Sequence, residues 1–274
     1  MKVLISVDME GITGVVSQSH TDHTAAEYQR FRKLMTGDAN AAIEGALAGG
    51  ATDIVVNDSH GNMDNIPIEE LNPAARLISG SPKPYSMMEG IGSDVDAMFL
   101  VGYHARAGSA PAIHDHTWSS VQVYAATLNG QPMGEIMLNA ALAGHFAVPV
   151  VLVSGDQLAT SEAREVLGDV ETVTVKIAKG RGAADCLPPA KTAAIIRQAA
   201  QRAVQKAQER KYVPLVVQAP ITLGIEFVRS IQAERAELMP GAKRTGARSV
   251  EWVGEDMPSV YRTWRAFVYL AGSP

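Results

Sequence analysis

Apolar residues come in short blocks separated by polar and glycine-rich punctuation. The first block, Val3-Leu4-Ile5-Ser6-Val7, follows Lys2 and stops at Asp8 and Gly11-Ile12-Thr13-Gly14. A near-continuous apolar run of this length predicts a strand buried on both faces, running into a loop. Ile54-Val55-Val56, a weaker Arg76-Leu77-Ile78, Ala97 to Val101 and Val148 to Val153 repeat the pattern. Val121 to Leu128 also reads as a strand, closed by the turn pair Asn129-Gly130. Between these blocks, Glu27 to Gly49 has helical character with alanine-rich turns, ending at Gly49-Gly50. Gly134 to Phe146 is a second predicted helix. Strands alternating with helices predict an α/β fold with a largely parallel sheet flanked by helices.

The character changes near Lys179-Gly180-Arg181-Gly182. Pro188-Pro189 then opens a long helix that places Ile196, Ala200, Ala203, Val204 and Ala207 on one face. Leu215-Val216-Val217 and Ile225 to Val228 are strand-like, and Glu255 to Tyr269 predicts a closing helix. The expected organisation is an α/β catalytic unit over residues 1–180 and a smaller α+β region over residues 181–274. No repeat or low-complexity segment interrupts the chain.

Composition narrows the function. The 274 residues carry 24 basic and 29 acidic side chains, a net charge of −5. Such a chain has no basic field to hold nucleic acid or an anionic membrane. One cysteine, Cys186, cannot form an internal disulfide, so a reducing, cytoplasmic location is expected. Asp8 cuts the first apolar run far short of a secretory signal, and no stretch approaches the roughly 20 apolar residues of a membrane span. All seven histidines lie between His20 and His145, which confines imidazole chemistry to the first half.

Four groups with chemical potential fall at predicted strand ends or in the loops beyond them. They are Asp8-Met9-Glu10, Asp58-Ser59-His60, His104, and His114-Asp115-His116. Ligands of open α/β sheets bind outside the carboxyl ends of the strands, so these groups can converge. Residues two apart in extended chain face one side, which aims Asp8 and Glu10 together and turns Met9 away. Carboxylate plus imidazole suits zinc, with iron, manganese or cobalt as alternatives, and one carboxylate can bridge two metals. The bland reading stands beside it: an Asp at a strand end, Asp58 above all, also serves as a turn former or cap. His20, His23 and His145 read as surface or hydrogen-bonded residues, and Cys186 as structural. There is no HExxH, no CxxC, no Walker phosphate loop and no GxSxG elbow.

At these residues the sequence resembles the zinc-dependent D-aminopeptidase family, peptidase family M55. Ser6-Val7-Asp8-Met9-Glu10-Gly11, Val56-Asn57-Asp58-Ser59-His60 and Gly102-Tyr103-His104-Ala105-Arg106-Ala107 carry the resemblance. Gly134-Glu135 with Leu138-Asn139-Ala140, Cys186-Leu187 with Pro189-Ala190-Lys191, and Leu238-Met239-Pro240-Gly241 continue it over nearly the whole chain. The resemblance implies two zinc ions with a bridging water. Asp8 would bridge, with Glu10, His60, His104 and Glu135 as further ligands. Glu135 comes from the resemblance alone, since a carboxylate in a helix's first turn is otherwise read as a partner of the helix dipole. The resemblance also implies a catalytic histidine, best matched by His116, with His114 as the neighbouring candidate. It further implies a short-peptide substrate and a homo-oligomer, a decamer of two pentameric rings, in which residues 181–274 are candidates for the contact. A different dinuclear metallohydrolase, such as a phosphoesterase, and a non-catalytic metal-binding scaffold are the competing readings.

Overall fold

The structure, a computed structural model, describes residues 1–272. Strands β1 (Lys2–Val7), β2 (Asp53–Asp58), β3 (Ala75–Ile78), β4 (Ala97–Tyr103), β7 (Val150–Asp156), β8 (Glu171–Gly180) and β9 (Ala183–Cys186) form one seven-stranded sheet. Its order is β3-β2-β1-β4-β7-β8-β9, parallel throughout except for the antiparallel edge β9. Strands β5 (Val123–Leu128), β6 (Gln131–Pro132), β10 (Ile221–Phe227), β11 (Lys243–Arg244) and β12 (Ser249–Gly254) form a second, antiparallel sheet in the order β11-β12-β10-β5-β6. Both sheets draw strands from either side of residue 180. The expected α/β class with a largely parallel sheet is the observed one.

Alternation along the central strands builds two apolar layers. Val3, Ile5 and Val7 face one side of the sheet with Ile54, Val56, Phe99 and Val101. There they meet α2 (Tyr28–Ala48) and α5 (Pro189–Gln208). Leu4, Val55, Met98 and Leu100 face the other side, against α3 (Glu135–His145), α7 (Met257–Gly272) and the inner face of β10. The predicted face of α5 is buried at Ile196, Ala200, Ala203 and Val204. Helices α2 and α5 approach closely because Gly45 carries no side chain: a Cβ there would stand 2.2 Å from the Arg197 carbonyl oxygen.

The strand expected at Leu215-Val216-Val217 is not formed; the segment runs as irregular chain. Among the described residues no strand pairs with it, and Val213 and Val216 are exposed. Leu215 is instead laid against α3, where its carbonyl would meet a Cβ on Gly144 at 1.9 Å. Helices α4 (Gln157–Leu167) and α6 (Ser230–Ala236) and strands β8, β9 and β12 were not anticipated from the pattern. A short helix α1 (Gln18–Thr21) lies between β1 and α2. No helix among the described residues is long and apolar enough to cross a membrane.

The topology sets the position of the site. From β1 the chain steps outward through β2 to β3, then returns to the other side of β1 as β4. The connection after β1 leads to α2 on one face, and that after β4 leads to the second sheet and α3 on the other. The loops therefore part above β1 and β4, which is where doubly wound sheets open a crevice.

Candidate metal centre

Three adjacent strands end beneath this crevice. Parallel pairing sets Val7 beside Asp58 on β2 and beside Val101 on β4, so β1 and β2 finish at one level and β4 runs two residues beyond it. The Asp8 N–H donates to the Val101 carbonyl at 2.8 Å, and the Gly11 N–H to the Gly102 carbonyl at 2.7 Å. Gly102 has φ +74°, and a Cβ on it would stand 2.4 Å from the Asp8 carbonyl oxygen. Only glycine lets the ends of β1 and β4 close this tightly.

Asp8, Glu10, His60, His116 and Glu135 line a cleft of about 190 Å³ together with Met63, Met87 and Trp118. Met9 turns into the core, as the spacing predicted. His60 Nδ1 lies 3.0 Å from Glu10 Oε2 and 3.5 Å from Asp8 Oδ1. His104 Nε2 lies 3.5 Å from Asp8 Oδ2 and 3.3 Å from Glu135 Oε1. The two oxygens of Asp8 thus face different imidazoles. His116 stacks on His104 with ring centres 4.0 Å apart, and its Nε2 lies 3.8 Å from Glu135 Oε1. Ligand atoms fall within 4.8 Å of one another in two triads that share His104: Asp8-Glu10-His104 and His104-His116-Glu135.

Backbone groups orient each imidazole. His60 Nε2 donates to the Thr21 carbonyl at 3.0 Å, His104 Nδ1 to Ala105 at 3.1 Å and His116 Nδ1 to His114 at 2.7 Å. The other ring nitrogen of each is left for the cleft, the usual arrangement around a metal-binding histidine. The Trp118 N–H donates to Glu135 Oε1 at 2.6 Å.

The electrostatics call for cations. Burial, then the neighbouring Glu10, push the Asp8 carboxyl up to about 7. Burial also acts on Glu10 and Glu135, but the charge of His60 at one and of His104 at the other outweighs it, so both stay below the usual carboxylate range. Burial opposes protonation of His60 and His104, yet Glu10 and Glu135 respectively hold both well above the usual imidazole range. Protons on imidazoles thus balance crowded carboxylates, a task that divalent ions take over as they displace those protons. Asp8 Oδ2 and His104 Nε2 are buried without a hydrogen-bond partner. Two unsatisfied atoms 3.5 Å apart, one acceptor and one imidazole nitrogen, fit a shared metal ion.

Of the other candidates, Asp58 takes its bland role. Its oxygens accept from the Asn65 N–H at 2.6 Å, Asn65 Nδ2 at 2.7 Å and the Ile66 N–H at 2.8 Å, so it shapes the loop that presents His60. His114 is buried beside the cleft but does not line it. His20 stacks on Phe31 and accepts from the Val16 N–H; His23 and His145 are exposed. Cys186 is half-buried on β9.

Lys176 was not anticipated. Its ammonium, 1% exposed, donates to the carbonyls of Glu10 at 2.6 Å, Ile12 at 2.8 Å and Val15 at 2.6 Å. It pins the loop that presents Glu10. Its only signal in the sequence is a charge set between Val175 and Ile177 in the middle of β8.

Such a cleft, built from buried carboxylates and imidazoles at the strand ends of an α/β sheet, defines a class of metal-dependent hydrolase. The comparisons narrow the class. The family model for peptidase M55, D-aminopeptidase, matches residues 1–266. A D-aminopeptidase of Bacillus subtilis (strain 168) is 40% identical over 272 residues, 99% of this chain and 98% of the relative. The solved structure of the Zn-dependent D-aminopeptidase DppA from Bacillus subtilis, a self-compartmentalizing protease, superposes with a TM-score of 0.96. It is 39% identical, covering 100% of this chain and 99% of that one. The chain belongs to the D-aminopeptidase family, whose members are peptide hydrolases.

Proposed function

We propose that the chain is a zinc-dependent aminopeptidase that removes N-terminal D-residues from short peptides. Two ions would be held by Asp8, Glu10, His60, His104 and Glu135, with Asp8 shared between them. The observation that carries this reading is the division of Asp8, whose Oδ1 lies 3.5 Å from the His60 ring while its unpartnered Oδ2 lies 3.5 Å from that of His104. When bound there, zinc supplies Lewis-acid activation of water and of the scissile carbonyl.

The chain's own groups supply the rest. An oxygen of Glu10 or Glu135 not turned to a metal ion would accept a hydrogen bond from the amino end of a peptide, which favours the terminal residue over internal ones. Burial, reinforced by the charge of His104, lowers the His116 imidazole below its usual range. His116 is then neutral near pH 7 and can take a proton at Nε2 from the attacking water and return it to the leaving amine. Its Nδ1–H bond to the His114 carbonyl holds Nε2 toward the cleft. Met63, Met87 and Trp118 form the apolar wall beside the reacting groups.

We further propose self-association, by similarity to the self-compartmentalizing Bacillus protease, as a decamer of two pentameric rings. Part of the contact would fall on residues 181–274, where Leu238 and Val253 are exposed. Having Cys186 as its sole thiol suits a cytoplasmic site.

The test is a panel of D- and L-aminoacyl dipeptides and a phosphate monoester, assayed with metal analysis on the same sample. We expect two zinc ions per chain, hydrolysis of the D-peptides, loss on chelation and recovery with zinc. Turnover that survives complete metal removal, or turnover of the phosphate ester alone, would refute the proposal. Light scattering checks the assembly.

A further inference from the structure

The cleft continues past His116. A second recess, of about 170 Å³, shares Glu10, His116 and Trp118 with the first and is bounded on its outer side by Ser119, Ser120 and Arg181. Arg181 occupies the turn between β8 and β9. The His114 N–H donates to its carbonyl at 3.1 Å, which fastens that turn to the loop bearing His116. The guanidinium is held along one edge: Nε donates to Asp115 Oδ1 at 3.0 Å and Nη2 to the Asp115 carbonyl at 3.3 Å. The end-on fork between Nη1 and Nη2 is left open, the edge that matches a carboxylate in bidentate fashion. His114 also lines this recess; it is 5% exposed and its Nδ1 has no partner. The aminopeptidase mechanism assigns no task to the His114 ring or to Arg181.

Arg181 is the sole Lys or Arg lining the outer recess, and the one carboxylate there, Glu10, belongs to the group that would hold the metal ions. A short peptide ends in a carboxylate, the partner that a guanidinium fork suits best. We infer that Arg181 is a specificity-determining residue that receives the free α-carboxylate of a dipeptide whose N-terminal residue lies at the inner recess. Asp115 preorients the guanidinium, and Ser119, Ser120 and His114 supply further polar contacts around the carboxylate. The favoured substrate is then a zwitterionic dipeptide with a free C-terminus, and peptides amidated there bind poorly. The inference rests on the aminopeptidase reading of the inner site.

The test compares D-alanyl-D-alanine with its C-terminal amide on the zinc-loaded full chain, wild type and Arg181→Gln. Wild-type kcat/KM should favour the free acid, mainly through KM. In Arg181→Gln the acid-to-amide ratio should fall at least tenfold, with partial recovery in Arg181→Lys. Calorimetric binding of a non-hydrolysable reduced-amide dipeptide, with and without its carboxylate, should show the same loss. Equal wild-type efficiency on acid and amide overturns the inference without any variant, as does an unchanged ratio in Arg181→Gln. A wild-type protein that hydrolyses neither compound overturns the aminopeptidase reading itself, and this inference with it.

Discussion

Replacing Tyr103 with phenylalanine deletes one oxygen from a buried polar chain that ties helices α3 and α7 to the strands bearing the candidate metal ligands. Tyr103, fully buried, contacts Ser6 Oγ on β1 at 2.7 Å and accepts from Asn139 Nδ2 on α3 at 2.9 Å. Asn139 Oδ1 in turn accepts from the Tyr261 hydroxyl of α7 at 3.0 Å. Ser6 keeps its contacts with Ser59 Oγ and the Met87 carbonyl, so losing Tyr103 costs it about 1 kcal/mol. Asn139 Nδ2 keeps only the Met87 sulfur at 3.8 Å, a weak acceptor, so a buried N–H goes effectively unpaired at about 1–3 kcal/mol. Together, Tyr103→Phe should cost about 2–4 kcal/mol, with almost no change in packing volume. The assay is urea unfolding at fixed protein and zinc concentrations, since ligand and assembly both shift the midpoint. Tyr261→Phe removes the next link, and the double variant should lose less than the sum of the single losses because both act through Asn139. A shift under about 0.5 kcal/mol for Tyr103→Phe, or strict additivity with Tyr261→Phe, would refute the idea of a connected network.

Other perturbations probe the same frame. Lys176→Met removes three bonds to the 10–15 loop, so zinc content per chain, read by elemental analysis, should fall; full retention would deny Lys176 its hold on Glu10. Gly102→Ala forces a Cβ to 2.4 Å from the Asp8 carbonyl at φ +74°, so at least about 2 kcal/mol should be lost in unfolding experiments and metal affinity should drop with it. His116→Ala should keep both ions while kcat collapses by about 100-fold or more, the scale of a lost general base; loss of an ion instead would make His116 a ligand. Asp38, which accepts from the Thr13 N–H and hydroxyl, has a carboxyl raised by burial from 3.8 to about 6. Its folded value exceeds its unfolded one, so its contribution is full below about pH 4 and is lost as pH rises through about 6, worth up to about 3 kcal/mol. Asp38→Asn retains an acceptor without the charge, so its unfolding midpoint should gain on wild type between pH 4 and 7; parallel profiles would contradict that sign.

How much of this could be read in advance depends on how far each signal reaches. The strands that carry Asp8, His60 and His104 announce themselves because each is apolar on both faces and stops at a polar or glycine residue. The i, i+2 relation then aims Asp8 and Glu10 together while Met9 returns to the core. The same relation misleads at Asp58 and His60, because Asn65 and Ile66 fold back and engage Asp58 where the chain is no longer extended. Glu135 has no local mark at all. A glutamate in a helix's first turn is common, and only the passage of the chain through β5 and β6 brings this one to His104. Leu215 to Val217 has strand composition but no partner in register, and composition says nothing of partners.

The β8–β9 hairpin shows where local reading ends. It carries no catalytic motif, is not predicted as a pair of strands, and lies at the sheet edge farthest from β3. Yet Lys176 reaches from β8 across 166 positions of sequence to the Glu10 carbonyl, and Arg181 in its turn bounds the outer recess. A buried ammonium with three carbonyl partners is costly to place, and its Nζ is depressed by burial to about 8. The bonds to the three carbonyls offset that cost, and in doing so they fix the loop that supplies them. The loop in question presents Glu10, one member of the pair that faces the metal centre. The edge hairpin therefore belongs to the site as fully as the central strands do. It holds the loop of Glu10 through Lys176 and bounds the outer recess through Arg181, so changes within residues 171–186 should lower zinc content per chain and shift the preference between peptide acid and amide before they alter the central sheet.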